Sequence, residues 1–154
     1  MADSLNISAP DLTKRPPRSP RCRLGGYVIL PRLLDKGRAV IAGTNGEFIY
    51  DAPIDQHLKE FIGLDFAALR EQLAAGKGDG EILEWVNTNA NRKRAAWEIE
   101  AWSNFMDRRG PSSDAETLQF FTDSVAQISR EREDIKTWFD LVDLEDYVSF
   151  GGKA

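Results

Sequence analysis

Arg32, Asp35, Lys36 and Ala39 recur at three- and four-residue steps behind Pro31. A proline suits the first turn of a helix, and those steps return to one helical face. Gly25-Gly26 stands just ahead, and the preceding segment adds Arg18, Arg21 and Arg23. Guanidinium groups beside the unpaired N–H groups of a helix start make an anion site, suited to a phosphorylated or carboxylated small molecule. Pro31 removes one of those donors, which counts against a phosphate cradle. GG followed by YVILPR also lacks the glycine spacing and the preceding strand of a Walker or dinucleotide fingerprint. The same residues admit a purely structural arrangement, with Asp35 pairing Arg32 or Arg38 and the basic leader pinned to an acidic body.

Other chemistry-bearing residues are sparse. Cys22 lies between Arg21 and Arg23, and adjacent cations raise the thiolate fraction of a thiol, so a nucleophilic or redox-sensing role is permitted. The only histidine is His57, and a Cys22–His57 dyad depends on geometry that sequence does not supply. One cysteine and one histidine are too few for structural zinc, and no metal or other cofactor is expected. Asp140, Asp143, Glu145 and Asp146 lack the alternation and central glycine of a calcium loop, so they read as an acidic helix end whose charge basic partners offset. No acid, base or nucleophile constellation can be assembled, which leaves enzyme activity undecided.

The elements that must position these residues follow from charge and punctuation. The balance is +5 over residues 1–40 and −10 over residues 41–154, giving a net charge of −5. With a pI near 5.0 and no reading module, nucleic acid is not an expected partner. No apolar run exceeds four residues, so no transmembrane helix is expected, and the N-terminus lacks the pattern of a secretory signal. A single cysteine fits a reducing, cytoplasmic setting.

Residues 1–10 read as a frayed, disordered end, 11–150 as a single helical domain and 151–154 as a flexible end. DLTKRPPRSPRCR is expected to be extended, because proline disfavours α geometry in the residue before it. A helix from Pro31 through Ala42 follows from the stripe Leu33, Leu34, Gly37, Val40 and Ile41. The rival is a short β-hairpin near 39–50, turned at Asn45-Gly46, and Phe48–Tyr50 could then be a short strand.

Further helices are expected around Leu58–Ile62, after an Asp65 N-cap, and after an Asp79 cap. Others span Arg94–Arg108, follow a capping box at Ser113–Glu116, and include Ile135–Val142. Trp97, Ala101, Trp102, Phe105 and Met106 are read as inward. Trp97 and Trp102 nevertheless diverge by about 140° around a helix, so one can face the core and the other a neighbour. Leu118, Phe121, Val125 and Ile128 form the stripe of the following helix. The fold class is all-α: a compact multi-helix domain with an extended Pro/Arg-rich N-terminal segment.

DLTKRPPRSPRCRLGGYVILPRLLDKGRAVIAGTNGEFIY and the ending TWFDLVDLEDYVSFG resemble a bacterial family catalogued as domain of unknown function number five-thousand-and-sixty-nine. The resemblance covers roughly Asp11 to Phe150. Its most specific part is the L-P-R-x-x-D-K-x-R-A pattern at Leu30–Ala39, with Gly37 standing where alanine is expected. It implies a compact cytoplasmic bacterial protein and carries no established activity, so no catalytic residue can be transferred. Two functions of different class follow from the residues. One is a non-catalytic module that binds a protein partner or itself. The other is a small-molecule binder or enzyme with a basic pocket around Arg32 and Lys36.

Overall fold

A computed structural model describes residues 7–111 and 113–154. The expectation of a disordered start falls largely on residues 1–6, outside that range. Among the described residues the order is β1 (Arg23–Leu24), β2 (Tyr27–Val28), α1 (Leu30–Ala42), α2 (Pro53–Ile62), α3 (Phe66–Ala74), α4 (Asp79–Asn89), α5 (Ala96–Arg108), α6 (Ala115–Ile128) and α7 (Trp138–Ser149). The architecture is all-α with one two-stranded antiparallel hairpin. No helix is long and apolar enough to cross a membrane among the described residues.

The hairpin is not where the Asn45-Gly46 pair suggested. Leu24 pairs with Tyr27 and Arg23 with Val28 around Gly25-Gly26. α1 instead runs through Ala42 and ends on Gly43 in the left-handed region, at φ 74°. Residues 44–52 form turns, with Phe48 N–H donating to Asn45 O at 2.9 Å, and Phe48–Tyr50 is not a strand. The apolar stripe from Leu33 outweighs the turn pair, since α1 is the central helix of the core.

α1 enters the core at a strained residue. Ile29 has φ 74°, rare for a β-branched side chain, yet it is fully buried. Its N–H donates to Pro20 O at 2.9 Å and its carbonyl accepts from Leu33 N at 2.9 Å, so both ends of the strained peptide are held. Gly37 lets α1 approach α3. A Cβ there would lie 2.5 Å from Leu73 Cδ1 and 3.0 Å from the Tyr50 ring.

The main core joins the hairpin, α1–α5 and Phe139 of α7, and a second, smaller cluster lies between α6 and α7 around Phe121, Ile135, Leu141 and Leu144. α5 is rolled away from the expected face, with Trp97 72% and Phe105 62% exposed. Ser103 sets that roll. Its hydroxyl donates to Gly26 O at 2.6 Å and accepts from Val28 N at 3.2 Å, tying α5 to the hairpin. Trp102 then stacks on Phe61 with centroids 4.6 Å apart. On α6, Phe121 is buried, whereas Leu118 is exposed.

Two caps and one helix start also differ from expectation. Gly78, not Asp79, caps α4, Asp114 caps α6 by accepting from Thr117 N, and Thr137 caps α7, leaving Ile135 outside the helix.

Candidate functional site

α1 turns Leu30, Leu33, Leu34 and Ala39 into the core and holds Arg32, Asp35 and Lys36 nearly as deep. Arg32 is 5% and Lys36 2% exposed, which makes them buried charges needing partners. The Arg32 guanidinium forks onto Asp146 of α7, at 2.7 and 3.3 Å, and donates to Arg18 O at 3.3 Å. Lys36 Nζ donates to Asp55 Oδ2 at 2.7 Å. Asp55 is fully buried, and the same oxygen accepts from Ala52 N at 2.8 Å at the start of α2. Burial pulls the Lys36 pKa below its ordinary value, although Asp55 acts in the opposite sense.

These two cations line a cleft of about 650 Å³ between α1, the 44–52 turns, the start of α2 and the end of α7. Its walls are largely apolar: Leu12, Phe48, Ile49, Ile54, Val142 and Phe150, with Glu47, Glu145 and Asp146 as the acidic lining. Phe48 and Phe150 stack with centroids 6.3 Å apart, and the Arg32 guanidinium sits 5.6 Å over the Phe48 ring. Glu145 titrates above its ordinary range because of burial, with Asp146 adding to the shift and Arg32 opposing it.

Hydrogen-bond accounting shows what the cleft holds in reserve. A guanidinium has five donor hydrogens and an ammonium three. Arg32 uses three, leaving buried Nε without an acceptor, and Lys36 uses one. Buried polar groups are normally satisfied, so an orphaned Nε on a cleft-lining arginine is a specific departure. Asp55 Oδ1 is the corresponding orphaned acceptor.

The leader arginines lie elsewhere. Arg18 donates to Asp35 from its backbone N–H at 2.8 Å and from Nε at 3.1 Å, and reaches Asp79 at 2.8 Å. Arg38 shares Asp79, also at 2.8 Å. Arg21 binds Asp107 at 2.7 Å, Asp143 at 3.2 Å and Asp140. Arg23 is exposed, with one hydrogen bond to Asn104 Oδ1 at 2.9 Å. Asp35 therefore pairs with Arg18, not with Arg32 or Arg38, and the leader is pinned by the acidic residues of α4, α5 and α7. Of the five sequence-derived cations, only Arg32 and Lys36 line the cleft.

Cys22 is exposed in the turn before β1. His57 is half-buried on α2, its pKa lowered by burial and by the nearby charge of Arg109. No hydrogen bond joins Cys22 and His57 among the described residues. No group of three or more potential metal-ligating side chains occurs among them either.

Asp55 and Asp146 complete the site and were not singled out for it. Asp55 lies one turn ahead of the Leu58–Ile62 stripe, and nothing in its local sequence marks it as the partner of Lys36. Asp146 was visible as one of the acids of the last helix that basic partners would offset.

A family model for Domain of unknown function (DUF5069) matches residues 14–148. The chain belongs to that family. No curated protein matches the sequence. That family's description assigns it no function.

Proposed function

We propose that this protein binds a small organic acid, an apolar body carrying one carboxylate, in the cleft over Arg32 and Lys36. The observation that carries this reading is the buried Arg32 side chain, whose Nε lacks an acceptor on the floor of an apolar-walled cleft. Charge selects the ligand. Asp146 and Asp55 already neutralise the two cations, so a doubly charged phosphate would meet a neutral floor and the acidic Glu47 and Glu145. A singly charged carboxylate meets this floor at lower electrostatic cost, and its apolar portion covers Ile49, Ile54 and the Phe48–Phe150 stack.

Octanoate and 4-phenylbutyrate test this reading by thermal shift, since a ligand of the folded state alone raises the melting temperature. Both acids are expected to stabilise the chain, and octanol is not. Ile49→Glu places a charge on the exposed part of the wall without disturbing the core, and abolishes the effect. A cleft that responds equally to octanol, or ignores every acid at millimolar concentration, overturns the proposal.

A second reading rests on α5, where Trp97, Ala101 and Phe105 place an uncharged stripe on an exposed face. A second copy of the chain is the proposed occupant, because one apolar stripe packs against its own two-fold image. Sedimentation equilibrium is expected to show a dimer that Trp97→Glu converts to monomer. A wild-type chain that is monomeric throughout contradicts it.

A further inference from the structure

Arg109 stands apart from the other arginines that are not exposed. Arg18, Arg21, Arg32, Arg38, Arg94 and Arg132 each pair with a carboxylate. The half-buried Arg109 guanidinium has no ion pair or hydrogen bond among the described residues, and its Nε is buried without an acceptor. Burial lowers its pKa with nothing acting against it. Holding a cation in that position costs stability, so a partner from outside the chain is the natural complement.

The surroundings are built to hold it there. Arg109 ends α5, and its carbonyl accepts from Trp138 N at 3.0 Å, joining α5 to the first residue of α7. Gly110 is pressed so close to the segment leading into α7 that a Cβ would lie 2.8 Å from Lys136 O. The guanidinium lies 5.9 Å from the Trp138 ring. A cavity of about 610 Å³ opens beside it, lined by Phe105, Arg108, Arg109, Ser113, Thr117 and Trp138 among others. None of the described lining residues is a carboxylate. Asp114, at the start of α6, has its oxygens committed to Thr117 N at 2.7 Å and Thr117 Oγ1 at 2.8 Å.

We infer that this cavity binds a phosphate monoester that carries a planar aromatic ring, of the nucleoside monophosphate class, with Arg109 and Arg108 taking the phosphate and Trp138 and Phe105 stacking on the ring. Two adjacent arginines with no compensating carboxylate suit a dianion, in contrast to the neutral floor of the Arg32 cleft. An indole with a guanidinium beside it suits a planar ring. The site uses no residue of the organic-acid cleft; it shares Phe105 with the α5 stripe, so a dimer through that stripe and the ligand compete for it.

The single histidine supplies the readout. His57 is held below its ordinary pKa by burial and by the charge of Arg109, and Glu60 opposes this. An anion bound at Arg109 screens that charge and raises the His57 pKa. Adenosine 5′-monophosphate is titrated into the full chain, following the His57 ring proton by NMR across pH and tryptophan fluorescence at fixed pH. Saturable quenching and an upward His57 shift are expected, with adenosine and inorganic phosphate each weaker by about tenfold or more. Arg109→Gln removes both responses, and Arg109→Lys, which keeps the charge but loses the planar fork, weakens binding by about tenfold.

The melting temperature of ligand-free Arg109→Gln is expected to stay level or rise, because an uncompensated cation has been removed. A fall in melting temperature with the nucleotide response intact would mark Arg109 as purely structural and overturn the inference. So would a His57 pKa unmoved by saturating nucleotide. Inorganic phosphate binding as tightly as the nucleotide overturns the stacking role of Trp138 and Phe105. Octanoate binding to Arg109→Gln stays as in wild type, which separates failure here from failure of the cleft reading.

Discussion

Replacing Asp55 by asparagine strands the Lys36 ammonium in a site where its side chain is 3% exposed. Removing one partner of a buried pair typically costs about 3–5 kcal/mol, because an uncompensated charge is left behind. For a chain of 154 residues that corresponds to a fall in melting temperature of roughly 10 °C. Lys36→Met strands Asp55 in the same way, and a comparable loss is expected.

The double variant Lys36→Met with Asp55→Asn removes both charges and keeps an amide oxygen for the Ala52 N–H. Its cost is expected to be within about 2 kcal/mol of wild type, giving a coupling of at least about 4 kcal/mol. Urea unfolding of the four proteins, followed by circular dichroism, measures the cycle. The single Asp55→Asn variant has a further signature in pH. Burial lowers the folded-state pKa of Lys36, and without Asp55 it falls further, so the unfolded chain binds more protons over the alkaline range. Stability of that variant therefore rises with pH up to the unfolded lysine pKa near 10.5. Single-variant losses that simply add, within about 0.5 kcal/mol, would refute the buried pair.

Three further outcomes follow from the packing and the charges. Gly37→Ala drives a Cβ to 2.5 Å from Leu73 and 3.0 Å from Tyr50, so a loss of about 1–3 kcal/mol is expected in the same urea assay. Asp79 is partly desolvated, which alone would raise its pKa, but hydrogen bonds from Arg18 and Arg38 outweigh this and hold it below its ordinary 3.8. Its contribution is present above pH 3.8 and lost as pH falls through the lower folded value. Asp79→Asn is thus expected to cost about 1–2 kcal/mol at pH 7 and to converge on wild type in strong acid. Glu145 is raised by burial and faces Arg32 and Lys36 of α1, Glu47 of the turns and Asp146 of its own helix. Its protonation removes a negative charge from the cleft, so octanoate affinity should increase as pH is lowered from neutrality while octanoate stays ionised, and change less in Glu145→Gln.

The helices were legible wherever an apolar period coincided with a stop. Leu33 to Ile41 closed by Gly43, and Asp65 ahead of Phe66, are read correctly from local chemistry alone. The roll of α5 was not legible, because Trp97 and Phe105 satisfy a helical period as well as Met106 does. A buried serine bonded to the distant Gly26 and Val28 decided between them. The hairpin was misplaced for a related reason. Asn45-Gly46 is a strong local turn signal, but its flanks belong to α1 and to the turns over the cleft.

At the candidate site, Arg32 and Lys36 could be read as sharing a helix face with one another. Their carboxylates lie 114 and 19 residues away in sequence, so only the fold could pair Arg32 with Asp146 and Lys36 with Asp55. The leader arginines look equivalent to Arg32 in sequence. Arg18 and Arg21 differ in meeting a surplus of acids, two and three against one for Arg32, whereas Arg23 is exposed and meets none.

The Nε–H resonance of Arg32 in a nitrogen–proton correlation spectrum, assigned with Arg32→Lys, tests the cleft most directly. Addition of octanoate should shift that resonance downfield and saturate at the concentration that saturates the thermal shift. An Arg32 Nε–H that stays in place while octanoate binds contradicts the account.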